Sequence, residues 1–224
     1  MIFFIGEEKV DIPKKQLDEL FVNKGYEGKV YVYKKEAIKL YSEKLKYRKK
    51  LTETEVLRLR RIPTKRILLP VNPIYDEWKD FMGYSTKFKI EGPKDRIGLL
   101  SVSSLKEQLE ELKEDIQALS NNQVRMDDLN LGSLLMTQEG LYLCDPGAYR
   151  IDMNSSPELL KRANIEDVNY FLTQLVFYNC LKLTKTEKEK IPKVFPIKDG
   201  YIGDKIDVQK PKQLVNSYFK SILK

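Results

Sequence analysis

Lys39 stands inside the apolar, β-prone run Ala37-Ile38-Lys39-Leu40. An ammonium buried without a partner is expensive, so a lysine set there needs an anionic group facing it. The plain alternative is an exposed lysine on an edge strand. Two aspartates further along also have the spacing of working residues: Asp128 opens Asp128-Leu129-Asn130-Leu131-Gly132-Ser133-Leu134-Leu135, and Asp145 opens Asp145-Pro146-Gly147. Between them, Leu134-Leu135-Met136-Thr137, Gln138-Glu139-Gly140 and Leu141-Tyr142-Leu143-Cys144 read as strand, turn and strand. Such a hairpin delivers both carboxylates to one site.

The surrounding elements follow from pattern. After a short N-terminal strand, residues 13–21 read as one to two helical turns with proline near the start. Residues 29–33 and 37–41 alternate as two strands joined by the polar turn Lys34-Lys35-Glu36. A basic helix is expected from about residue 43 to residue 61, stopping at Pro63, with further strands over 69–74 and 83–90. The character changes after Gly92-Pro93. Ser104-Leu105-Lys106-Glu107 reads as a capping box opening a helix with Leu105, Leu109, Leu112, Ile116 and Leu119 on one face. That stripe is too short for a coiled coil and reads as core packing. Residues 164–183 and 211–223 are expected to form two more helices, and there is no internal repeat.

Taken in chain order, these features resemble the protein kinases. Gly25-Tyr26-Glu27-Gly28-Lys29-Val30-Tyr31 followed by Lys39 resembles the glycine loop and strand lysine, the Asp128 run resembles a catalytic loop of form D-L-x-x-x-N, and Asp145-Pro146-Gly147 resembles the metal-binding D-x-G. The chain thus looks like a divergent, minimal kinase-like protein of bacterial or phage type, active or a pseudokinase. The resemblance implies an α+β, two-lobed fold: residues 1–82 as an N-lobe of small antiparallel sheet plus helix, residues 83–224 as a mostly helical C-lobe. It implies ATP and Mg²⁺ as ligands and transfer of the γ-phosphate to a hydroxyl acceptor, protein or small molecule. Lys39 would hold the α- and β-phosphates and pair with a helix acid, Glu55 or else Glu53. Gly25 and Gly28 would bring backbone N–H groups to phosphate, and Val30 would lie over the base. Asp145 would bind Mg²⁺ with Ser133 beside it, and Asp128 would receive or orient the acceptor's hydroxyl proton. Ser156-Pro157-Glu158 resembles the A-P-E segment, and Asp167 the helix aspartate that bonds the catalytic-loop backbone.

The departures are as informative. Met126 and Asp127 replace the usual His-Arg, Asn130 replaces lysine, and Ser133 replaces the metal-binding asparagine. Losing one electrostatic contact of that kind typically costs about 10²- to 10³-fold in rate, so nucleotide binding is more secure than turnover.

Composition narrows the field further. Without histidine, and with two cysteines, His-based catalysis and a structural zinc site fall away, and Cys144 and Cys180 read as core thiols. The net charge of +7 is concentrated in residues 44–66 and 182–224. Those segments suit an acidic partner, nucleic acid or phosphorylated ligand, or form solvated surfaces only. A basic module binding such a partner is therefore the rival to the kinase-like reading. No run has the length and apolarity of a membrane span, and the N-terminus lacks a signal-peptide pattern, which makes a cytoplasmic location the expectation.

Overall fold

The computed structural model describes residues 2–13, 21–24, 28–42, 50–90, 102–129 and 133–177. It is a mixed α+β structure: a curled antiparallel sheet of seven strands, three helices and two short two-stranded ladders.

The sheet holds β1 (Ile2–Ile5), β2 (Glu8–Asp11), β3 (Phe21–Lys24), β4 (Gly28–Tyr33), β5 (Glu36–Tyr41), β6 (Pro70–Asp76) and β7 (Phe81–Lys87), in the spatial order β2-β1-β6-β7-β5-β4-β3. It is larger than the small sheet expected. The short, polar strands β2 and β3 escape a periodicity reading. The boundary drawn at residue 82 falls inside β7, which pairs with both β5 and β6; the sheet ends after Lys87. Pro70 and Pro73 lie on β6, where the register against β7 shifts twice, as suits residues with no N–H for a ladder.

Both faces of the sheet are apolar. On one, Phe3, Ile5, Val10, Ile12, Tyr31, Ile38, Leu40 and Ile74 form a cluster of strand side chains and the residue just after β2, and each fully buried aliphatic or aromatic residue there contributes roughly 1.5–3 kcal/mol. The other face meets helix α1 (Glu53–Leu59), whose Val56 and Leu59 are fully buried.

Helix α1 is shorter than the basic helix expected. Thr52 is its N-cap: the Thr52 hydroxyl accepts from the Glu55 N–H while a Glu55 carboxylate oxygen accepts from the Thr52 N–H at 2.8 Å, a closed capping box. Helix α2 (Val102–Asn121) opens two residues before the expected Ser104 cap. Its Leu109, Leu112, Ile116 and Leu119 are buried in the main core, as the stripe predicts. After β8 (Val124–Arg125) come the hairpin β9 (Leu134–Thr137) and β10 (Gly140–Leu143), then β11 (Arg150–Ile151), which pairs with β8. Helix α3 (Pro157–Phe177) starts earlier than the sequence suggested, with proline in its first turn and the Leu159 N–H donating to the Ser156 hydroxyl at 3.3 Å. Of the helical turns expected at 13–21, residues 14–20 lie outside the described residues and Phe21 opens β3 instead; the loop containing Gly25, Cys180 and the last expected helix also lie outside them.

The main core runs without a break from α1 through Tyr84 of β7 to α2, α3 and both short ladders. Backbone hydrogen bonds reinforce this continuity. Leu68 N–H donates to Leu143 O and Leu143 N–H to Arg66 O, both at 2.8 Å, stitching the segment between α1 and β6 to β10. Asp115 of α2 accepts the N–H groups of Lys65, Arg66 and Ile67 at 2.6–3.0 Å.

Candidate functional site

Strand β5 is central, between β4 and β7, so Lys39 is not an edge-strand lysine. The period of two turns Ile38 and Leu40 into the strand cluster and leaves Lys39 on the face that Tyr41 and Tyr84 share with the main core. Lys39 lies opposite Val30 of β4 on one side and Tyr84 of β7 on the other. Two glycines allow the close spacing. A Cβ at Gly83 would come within 2.0 Å of Lys39 O, and one at Gly28 within 2.0 Å of Leu40 O. Gly28, expected as a phosphate-loop glycine, thus has a packing role of its own at the start of β4.

From this position the Lys39 ammonium donates to Asp145 Oδ1, joining residues 106 apart in sequence. The Lys39 side chain is 12% exposed and that of Asp145 48%. Tyr84, itself buried, directs its hydroxyl to the same Oδ1 at 3.4 Å, and its ring centroid lies 6.0 Å from Lys39 Nζ. The anionic partner that Lys39 required therefore exists, but it is not the one expected. Glu55 is committed to its capping box and Glu53 accepts from the Tyr75 hydroxyl at 2.6 Å. The Lys39–Glu55 ion pair is a corrected expectation: Thr52 starts the helix so late that Glu55 falls at its third position, where its carboxylate serves the helix terminus.

Asp145 follows β10 directly. Its φ of 59° is left-handed, and so is the 56° of Asp128. Aspartate tolerates that region better than most residues, yet each such backbone costs of order 1–3 kcal/mol and is retained only where the surroundings impose it. A 3-10 turn, Pro146–Ala148, and the fully buried Tyr149 then anchor the segment. Burial pushes the Tyr149 phenol far above its ordinary range, with the neighbouring Cys144 and Asp145 adding to the shift. Asp128 is exposed, and Ser133 is buried, its carbonyl accepting from the Cys144 N–H at 2.7 Å. The hairpin β9–β10 expected from the sequence is present between the Asp128 run and Asp145. Cys144 forms no disulfide and is only half-buried, short of the core burial expected.

The strand before Asp128 is held by a neighbour that sequence reasoning missed. Asn164 of α3, fully buried, accepts from the Met126 N–H at 2.8 Å and donates to Val124 O at 2.9 Å. That backbone role was expected of Asp167, which instead pairs with the Arg125 side chain. One helical turn separates the two residues. Asp127 accepts from Arg150 of β11 at 2.7 Å.

Of the basic segment 44–66, the described part is largely engaged within the chain. Arg58 donates to Asn122 O, Lys65 pairs with Glu114, and Arg66 pairs with Glu111. Segment 182–224 lies outside the described residues. Among the described residues no three acidic or thiol side chains gather as a metal site, and no helix is long and apolar enough to cross a membrane. Compared with known families and with curated proteins, the chain matches no family model and no curated sequence.

Proposed function

We propose that the chain is a two-lobed, protein kinase-like nucleotide-binding protein that transfers the γ-phosphate of ATP to a hydroxyl acceptor. One observation carries the reading: the lysine of a central strand meets the aspartate of the D-x-G run across 106 residues. Lysine and aspartate suit Mg·ATP. Asp145 is half-exposed, with both donors on Oδ1, so Oδ2 is open to a hard cation whose other ligands would be phosphate oxygens and water. Lys39 is held beside it as the counter-charge to phosphate. Val30, opposite Lys39 on the same face, supplies apolar surface for a base. Asp128 would receive the acceptor proton, and Mg²⁺ would supply charge neutralisation on the phosphates.

A thermal-shift titration tests this, because a ligand stabilises the native state by RT ln(1 + [L]/Kd). The wild type is expected to be stabilised by ATP and more strongly by Mg·ATP, and Lys39→Ala to lose most of the effect. No shift with either ligand rejects the proposal in favour of a basic module for nucleic acid or another acidic partner.

The pseudokinase is a second reading, favoured by the burial of Ser133 at the position of the metal-binding amide and by the reversed charge at Asp127. Binding of Mg·ATP without transfer to any protein, peptide or small-molecule acceptor would select it.

A further inference from the structure

We propose that Tyr84 is the positioning residue of the site: its hydroxyl and the Lys39 ammonium together occupy Oδ1 of Asp145, which fixes the carboxylate and reserves Oδ2 for a divalent cation. The inference rests on the nucleotide-binding reading above and adds to it a residue that neither the Lys39 nor the Asp145 run contains. Three features support the assignment. Tyr84 is 1% exposed, and a buried phenol ordinarily directs its hydroxyl to a partner; the half-exposed carboxylate of Asp145 lies within its reach at 3.4 Å. Its position is set by the backbone, since β7 places it opposite Lys39 and Gly83 lets the two strands approach. The ring is also held from the side, by an edge-on contact with Tyr41 at 6.0 Å between centroids.

The two acids of α1 are committed elsewhere, while Asp145 and Tyr84 both lie against the Lys39 ammonium. An exposed carboxylate turns freely about its last bond. Two donors from neighbouring strands on one oxygen remove that freedom, and outer partners of this kind typically change metal affinity 10- to 100-fold.

The test is a Mg²⁺ titration at fixed excess ATP, read as thermal stabilisation, on wild type, Tyr84→Phe and Tyr41→Phe. Tyr84→Phe keeps the ring and its packing. Tyr41→Phe is the control, removing a hydroxyl from the same aromatic group, one that donates to Leu51 O at 3.2 Å. Tyr84→Phe is expected to need about tenfold more Mg²⁺ for half the stabilisation, with the metal-free ATP shift unchanged. Tyr41→Phe is expected to lower the melting temperature without moving the Mg²⁺ midpoint. If Tyr84→Phe has the wild-type midpoint in a protein that Mg·ATP does stabilise, the Tyr84 role alone is overturned. A wild type stabilised by neither ATP nor Mg·ATP overturns the nucleotide reading and this inference together.

Discussion

Two aspartates from the second half of the chain each grip a segment of the first half, in opposite ways. Asp115 is buried, and its two oxygens accept three consecutive backbone N–H groups at 65–67. Asp145 is half-exposed, sits on a left-handed backbone, and spends one oxygen on the side chains of Lys39 and Tyr84. Burial pushes the Asp115 carboxyl above its ordinary range, with the three N–H groups pulling it back. The contrast separates a joint from a site. A carboxylate whose acceptors are all used inside the protein has nothing to offer a ligand, whereas one with an idle oxygen, solvent access and a strained backbone can exchange partners.

Replacing Asp115 should break the joint. Asp115→Ala leaves three N–H groups without their acceptor, and at 1–3 kcal/mol per unsatisfied buried group the loss should reach about 3 kcal/mol. Urea unfolding measures it; a loss below about 1 kcal/mol would show that water substitutes and that the joint is no stronger than the site. Asp145→Asn should cost less, about 1–2 kcal/mol, because the amide oxygen still accepts from the largely buried Lys39, while abolishing the Mg²⁺-dependent part of ATP stabilisation. If nucleotide binding is unchanged by Asp145→Asn, the assignment of the site is wrong.

Asp128 sharpens the contrast from the side of strain. Asp128→Gly relieves a left-handed backbone and should raise stability by up to about 1 kcal/mol, while phosphoryl transfer falls about 10²- to 10⁴-fold and nucleotide binding persists. A variant both less stable and fully active would remove Asp128 from the site. The smallest effect belongs to an intermediate case, the Tyr75–Glu53 contact tying β6 to α1. Burial, with the Glu53 carboxylate adding to it, pushes the Tyr75 phenol up to about 12 from 10.0. The folded chain then keeps a proton that the unfolded chain releases above pH 10, so this contribution to stability declines as pH rises from 10 towards 12. Phenolate absorbance during alkaline titration should show one tyrosine fewer ionising near pH 10 in wild type than in Tyr75→Phe corrected for the missing residue.

The need of Lys39 for a counter-charge was legible, because an ammonium in an apolar strand admits few explanations. Its partner was not. Reading Glu55 as that partner overlooked Thr52-Glu53-Thr54-Glu55, a capping-box spacing that assigns the carboxylate locally before any distant residue can claim it. Asp115 makes the same demand for a partner as Lys39. It lies three residues after Leu112 and four before Leu119, so a charge was visible in the buried stripe of α2. Asn164 left a weaker trace, since a buried amide one turn from an acid has the same helical periodicity. The hairpin between Asp128 and Asp145 was legible because alternation and a Gly140 turn are local signals. The order of the seven strands was not, because β1 and β6 pair across more than sixty residues with no such signal.

The stitch between Arg66, Leu68 and Leu143 bears on how the molecule comes apart. Backbone hydrogen bonds there belong at once to the strand-rich and the helix-rich parts, and the Asp115 carboxylate closes over the adjoining N–H groups of Lys65, Arg66 and Ile67. Neither part can melt first without exposing unpaired amides of the other. Heating or denaturant should therefore give one cooperative transition with coincident far-ultraviolet and tyrosine signals. The amides of Ile67, Leu68 and Leu143 should rank among the slowest to exchange with solvent deuterium, opening only when the whole chain unfolds.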